Sequence, residues 1–207
     1  MGLFSCLLLL LTASAEPDTL WVTDFSEIPR GWEADLHWST TGSMRLMLNS
    51  QVQRVFDFDH SSLNTDYYSN LPDTDSLILI VEYIWTGWGA YTGGIARDGA
   101  FSRSRINVHF GHVFDTLWDS VAGYLWFDES PVGEAVTHAE SGPYSSTSQG
   151  TLTLRLPDIP DWELFRIEFR GDTGGFQDPS SKGGQYAYIS WHLESATLLS
   201  YRSGTSD

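Results

Sequence analysis

The sequence predicts an all-β fold: a two-sheet antiparallel β-sandwich of jelly-roll type. Three observations carry that expectation. Beyond the first fifteen positions, apolar residues recur with period two rather than a helical period of about 3.6, the pattern of strands with one buried face. Turn-forming clusters separate these runs: "IPRG", "LPDTD", "RDG", "ESPVG", "ESGPYSSTSQG", "LPDIPD" and "GDTGGFQDPSSKGG". Nine tryptophans, nine tyrosines and eleven phenylalanines supply the aromatic side chains that stacked sheets bury between them.

The opening fifteen residues, "MGLFSCLLLLLTASA", read as a secretory signal peptide. Leu7 to Leu11 form its apolar stretch, and Ala13-Ser14-Ala15 supplies the small-residue cleavage pattern. No Lys or Arg precedes the apolar run, so the α-amino group alone carries positive charge there. The run is shorter than the roughly 20 residues that cross a bilayer. Cleavage would remove Cys6, the single cysteine, and leave a mature chain without disulfides. Stability then rests on core burial, which a chain of about 190 residues can supply by hiding roughly 70% of its unfolded surface. Residues 16–201 read as one β-sandwich domain and 202–207, "RSGTSD", as a frayed tail.

Nine strands are expected within the domain: Thr19–Phe25, Ser43–Asn49, Arg54–Phe58, Leu77–Trp85, Ile106–Phe110, Gly123–Phe127, Thr151–Leu156, Leu164–Arg170 and Gln185–Leu199. In "TLTLRL", Leu152, Leu154 and Leu156 share one face, opposite Thr151, Thr153 and Arg155. In "FRIEFR", Phe165, Ile167 and Phe169 oppose Arg166, Glu168 and Arg170. "SLILIVEYIW" is apolar on both faces from Leu77 to Val81, which places it mid-sheet with Glu82 at the end of the run.

The formal charge is −16, from 27 acids against 11 bases, with Lys182 the single lysine. Such a surface repels phosphate backbones and anionic headgroups. The expectation is no nucleic-acid partner and no membrane insertion once the signal is removed. There is no N-x-[ST] sequon. Together these features point to a secreted or cell-surface protein of bacterial type, with a periplasmic location as the variant.

"DFSEIPRGW" (Asp24–Trp32), followed by Trp38, resembles the opening of secreted jelly-roll modules of the choice-of-anchor and MAM type. "FRIEFRGDTGGF" and "GGQYAYISWHLESATL" resemble their close, and the two matches span a quarter to a third of the chain. The resemblance implies a concanavalin-like sandwich with neighbouring first and last strands, used for extracellular binding or adhesion. It also implies a structural calcium held by acids near the terminal strands. Asp24, Glu27 and Glu194 are the candidate metal ligands, since calcium takes about six to eight oxygens. The last strand departs from the family pattern, carrying "ISWHL" where an acidic element is usual.

"YIWTGWGAYTGG" (Tyr83–Gly94) raises the sharpest functional question. It lacks G-x-x-x-x-G-K-[ST] and no helix follows, so it is not a phosphate cradle. Tyr83 and Trp85 fall on one face of a strand that Gly87 and Gly89 are expected to end, which would leave Trp88 and Tyr91 on a rim loop. Trp85, Trp88 and Tyr91 are therefore the expected stacking surfaces for sugar rings, whose apolar C–H faces suit aromatic planes. Arg97 and Asp98, on the loop that follows, are the expected hydrogen-bond partners of sugar hydroxyls. The competing reading is that these rings are sandwich core.

Other chemistry is less well supported. No spacing among Glu82, Asp98, Asp128, Glu129, Glu134 and Glu168 singles out a glycosidase pair. Glu168 between Arg166 and Arg170 reads as a surface charge ladder. "HFGHVFD" offers His109, His112 and Asp115, which share a face only if Gly111 turns the chain. A non-catalytic carbohydrate-binding or adhesion module is the leading expectation. The alternatives are a surface-interaction protein without a small ligand and a polysaccharide-active enzyme.

Overall fold

Period-two patterning is realised as ten strands in a computed structural model, which describes residues 17–50, 56–68, 76–92, 99–111, 113–124, 144–157, 164–176 and 184–201. The strands are β1 Asp18–Thr23, β2 Glu33–Ala34, β3 Ser43–Ser50, β4 Phe56–Asn64 and β5 Ser76–Thr92. They continue with β6 Gly99–Phe110, β7 Val113–Tyr124, β8 Tyr144–Arg155, β9 Phe165–Phe176 and β10 Gly184–Tyr201. The leader-like opening, Cys6, the tail and the loop carrying Arg97 and Asp98 lie outside the described residues.

Two antiparallel sheets pack face to face as a β-sandwich. The front sheet runs β1-β10-β5-β8, with β3 also on β10; the back sheet runs β2-β4-β9-β6-β7. β5 pairs with β10 along its whole length, Gly184↔Thr92 to Tyr201↔Ser76. The other edge of β10 is shared end to end: β3 takes Gln185 to His192 and β1 takes Ala196 to Ser200. First and last strands are thus neighbours.

The core follows the parity read from the sequence. Leu77, Leu79, Val81, Tyr83 and Trp85 of β5 point inward, as do Ala187, Ile189, Trp191 and Leu193 of β10. From the back sheet, Phe165, Ile167 and Phe169 face them beside Ile106 and Val108. Trp191 is the hub, with ring centroids 5.5 Å from Trp118, 6.0 Å from Phe169 and 6.1 Å from Trp38. Phe169 extends the cluster to Trp32 at 6.3 Å and Phe25 at 6.5 Å. Edge and offset contacts of this kind add about 0.5–1.5 kcal/mol each to simple burial.

Several strands run past the expected ends. β9 continues through "GDTGGF", which the local signals mark as a turn. Its Gly171, Gly174 and Gly175 pair with β4 on one side and β6 on the other, so ladder hydrogen bonds override the turn propensity. Gly171 also sits where the sheets approach closely. A Cβ there would run into the Met44 methyl, which is the use of glycine inside a strand. β8 begins at Tyr144, inside "ESGPYSSTSQG", for the same reason.

The outer face of the back sheet is covered by paired charges. Asp172 is buried, accepting from Arg105 Nη2 at 2.7 Å and Arg170 Nε at 2.8 Å. Glu168 accepts from Asn107 Nδ2 at 2.7 Å, with His109 Nε2 at 3.2 Å and Arg170 Nη1 at 3.9 Å. Arg103 grips Asp119 with both Nε and Nη2. Arg166 donates to Glu33 at 2.8 Å and lies over the Tyr67 ring at 4.2 Å. Glu168 thus belongs to a charge ladder, and its neighbours shield it from solvent.

Two stability predictions follow from this packing. Gly171→Val is expected to cost roughly 1–3 kcal/mol by overpacking against Met44, seen as a lower urea midpoint; an unchanged midpoint would contradict the close approach. Asp172→Ala strands two arginines and is expected to cost about 3 kcal/mol. Asp119→Ala breaks a pair that is a third exposed and is expected to cost under about 1 kcal/mol. Equal effects in urea denaturation would count against the buried pair.

Candidate functional site

The two faces of β5 divide the predicted aromatic site. Trp85 is 1% exposed and belongs to the core, so it is not the stacking surface the sequence suggested. Its parity is that of Leu77 to Tyr83, and the strand does not stop at Gly87. Gly87 pairs with Ile189 and Ser146, and Gly89 with Ala187 and Tyr144, so both glycines are held in the ladder from two sides. Glu82, Ile84, Thr86 and Trp88 alternate with the buried set and occupy the outer face. Trp88 is therefore a half-buried residue of a sheet face rather than of a rim loop. Tyr91 lies in the same strand opposite Gln185, and its side chain falls outside the described residues. Arg97 and Asp98 also fall outside them.

The structure adds partners for Trp88 that sequence reasoning missed. Trp88 stands directly opposite Tyr188 of β10, and Tyr188 stands opposite Met47 of β3. Tyr188 alternates with buried Ala187 and Ile189, which puts it on the outer face beside Trp88. Directly opposed residues hold their Cβ atoms about 4.5–5.5 Å apart. Met47, 70% exposed, extends this apolar row to β3. Tyr186 continues it one step along β10 and is also half-buried. The missed signal was the alternation in "QYAYISW", which puts both tyrosines opposite in parity to Trp191.

Along the same face, polar rows follow. Ser190 and Thr86 are paired across β10 and β5, and the Thr86 and Thr147 hydroxyls are 3.3 Å apart. Next, Ser43 Oγ lies 2.6 Å from His192 Nδ1, and His192 stands opposite Ile84. Beyond them a β-bulge between Leu193 and Ser195 leaves Glu194 without a β5 partner; bulges of this kind re-aim side chains. Glu194, Glu82, Ile84, Gln149, Gly150 and Thr151 line a shallow depression of about 390 Å³. Ser195 Oγ donates to Glu82 at 2.8 Å and fixes that carboxylate.

The predicted metal ligands do not form one group. Glu194 lines the depression with Glu82, whereas Asp24 and Glu27 line a separate concavity with Val22, Thr23, Ser26 and Pro29. Alternation from Trp191 and Leu193 already puts Glu194 on the outer face with His192. Asp24 is engaged locally: its carboxylate accepts the Ser26 N–H at 2.9 Å, which holds it below the usual carboxylate range. Among the described residues no cluster of three His, Cys, Asp or Glu is placed to hold a metal ion. Of the "HFGHVFD" set, His109 is committed to Glu168, Asp115 is exposed, and His112 lies outside the described residues.

The front face can therefore do two things chemically. It can stack a flat apolar surface on Trp88 and Tyr188, and it can exchange hydrogen bonds with hydroxyls along the polar rows and in the depression. The two outer faces differ in how fully their polar groups are satisfied. On the back face arginines and carboxylates pair with one another; on the front face the side chains of Gln149, Thr151 and Glu194 make no hydrogen bond among the described residues. No family model matches the chain, and no curated protein is significantly similar to it in sequence.

Proposed function

We propose that this chain is an exported, non-catalytic carbohydrate-binding module that holds its ligand on the outer face of the front sheet. One observation carries the reading: Trp88 and Tyr188 stand opposite each other on a solvent-facing sheet surface. They replace the Trp85–Trp88–Tyr91 set expected from the sequence. Rings so placed offer a broad amphipathic plane at low conformational cost. Each contributes on the order of 1 kcal/mol beyond area burial, so a single site binds weakly. Export is supported by the leader-like opening. Apart from the β6–β7 hairpin, successive strands from β3 onward cross between the sheets, in the order β3-β10-β5-β8 over β4-β9-β6-β7. That order supports the jelly-roll reading, a scaffold that carries such faces.

A second reading has one specific observation behind it. Glu82 and Glu194 line the same depression, and paired carboxylates are what a glycosidase requires. Under the binding reading, no new reducing ends appear when the protein is incubated with cello-, xylo-, manno- or chito-oligosaccharides. Their appearance, and its loss in Glu82→Gln, would assign the enzyme reading instead.

The binding reading is tested by isothermal titration against the same oligosaccharides. The wild-type protein is expected to bind at least one series, and Trp88→Ala and Tyr188→Ala are each expected to weaken it about five- to tenfold, as loss of roughly 1 kcal/mol implies. Unaltered binding in both variants, with folding retained by thermal melt, would remove the platform.

A further inference from the structure

We propose that the front face takes a linear, uncharged polysaccharide in mid-chain, laid along β5 and β10 from the Trp88–Tyr188 pair to the depression at Glu82 and Glu194. This rests on the platform reading above and adds the ligand's shape, direction and charge.

Direction comes from the register. Trp88 and Glu82 belong to one strand and one face, six positions apart, which is about 20 Å at strand rise. The aromatic pair and the depression therefore lie at two points of a line parallel to the strands. Between them the outward residues of β5 and β10 are Thr86, Ser190, Ile84 and His192. None is a long charged side chain, so a low track joins the two points. A single sugar ring cannot reach both; an extended chain can.

Shape follows from the walls. The depression is shallow and opens onto the sheet face, and its rim is built from strand residues of β5, β8 and β10. A blind pocket would select a chain end, whereas a flat track with a shallow hollow accepts the middle of a chain.

Charge follows from what the track offers. The Glu82 carboxylate is held by Ser195 and Glu194 is exposed, and both accept from hydroxyl donors. Gln149 supplies donor and acceptor together. His192 presents Nε2 with no hydrogen bond among the described residues, its Nδ1 being taken by Ser43. Two carboxylates in the hollow, on a chain of formal charge −16, repel uronic or sulfated sugars. Arg45, opposite Ser190 on β3, flanks the track rather than the hollow.

The test is a length series by isothermal titration, from disaccharide to hexasaccharide of cello-, xylo- and manno-oligosaccharides, with polygalacturonate as the acidic chain. Affinity is expected to rise about tenfold from disaccharide to hexasaccharide in the series that binds. The double variant Gln149→Ala/Glu194→Ala is expected to lower hexasaccharide affinity about tenfold and leave disaccharide affinity unchanged. Trp88→Ala is expected to weaken both. Length-independent binding that still requires Trp88, or polygalacturonate binding as tightly as the neutral hexasaccharide, overturns the track and leaves the platform standing. Binding that Trp88→Ala leaves intact, or no binding to any chain, overturns both. Thermal melts of each variant separate lost binding from lost folding.

Discussion

The contact of Trp191 with the back sheet is the interaction on which the architecture depends. Its indole bridges β10 to Trp118 of β7 and Phe169 of β9, and reaches Trp38 in the segment before β3. Four elements meet there, and their mutual register decides which side chains elsewhere face inward. Once Trp191 is inside, period two puts Ile189 and Ala187 inside with it, and Tyr188 and Tyr186 outside. The same count on β5 buries Trp85 and presents Trp88. The candidate ligand face is thus a consequence of core packing, because a one-residue slip would exchange the two faces. The hub also carries a cost. Among the described residues the buried indole N–H groups of Trp38, Trp85 and Trp191 have no acceptor, at roughly 1–3 kcal/mol each, which the aromatic cluster must offset.

The two outer faces solve different problems. On the back face, Asp172 and Glu168 are covered by the arginines and the histidine that they bind, so charge is matched locally and little is left for a ligand. The front face keeps hydroxyls, an amide and carboxylates available to one side of a half-buried aromatic pair. It is also the face with the exposed Met47 side chain and the β10 bulge. A rigid ladder beneath such groups holds them in fixed positions, which limits the ordering cost of binding.

Much of the fold was legible because alternation is a local property. "TLTLRL" and "FRIEFR" announce their buried faces without reference to any partner, and Leu152, Leu154, Phe165 and Ile167 pack where the pattern puts them. The glycine-rich ends were not legible. "GDTGGF" and "TGWGAYT" look like turns in isolation, and only the neighbouring strands, distant in sequence, keep them extended. The same holds for the aromatic residues: the local stretch "YIWTGWGAYTGG" puts Trp88 on a rim loop, whereas its position on a sheet face, and its partner one hundred residues later, depend on long-range pairing. Tyr188 was visible as an alternating residue, yet nothing local said that β5 would be its neighbour. The separation of Glu194 from Asp24 and Glu27 into two concavities is likewise a matter of long-range placement, since alternation gives a side chain its face but not its neighbours.

The pairing of β1 with the end of β10 has a consequence for how the molecule would be displayed. Asp18 sits opposite Ser200, so the polypeptide enters and leaves the sandwich at one corner. Tyr188 lies twelve residues back along β10, about 40 Å at strand rise. Anything tethered to either terminus would grip the body at that corner and hold the aromatic pair outward at the far end, clear of the attachment point.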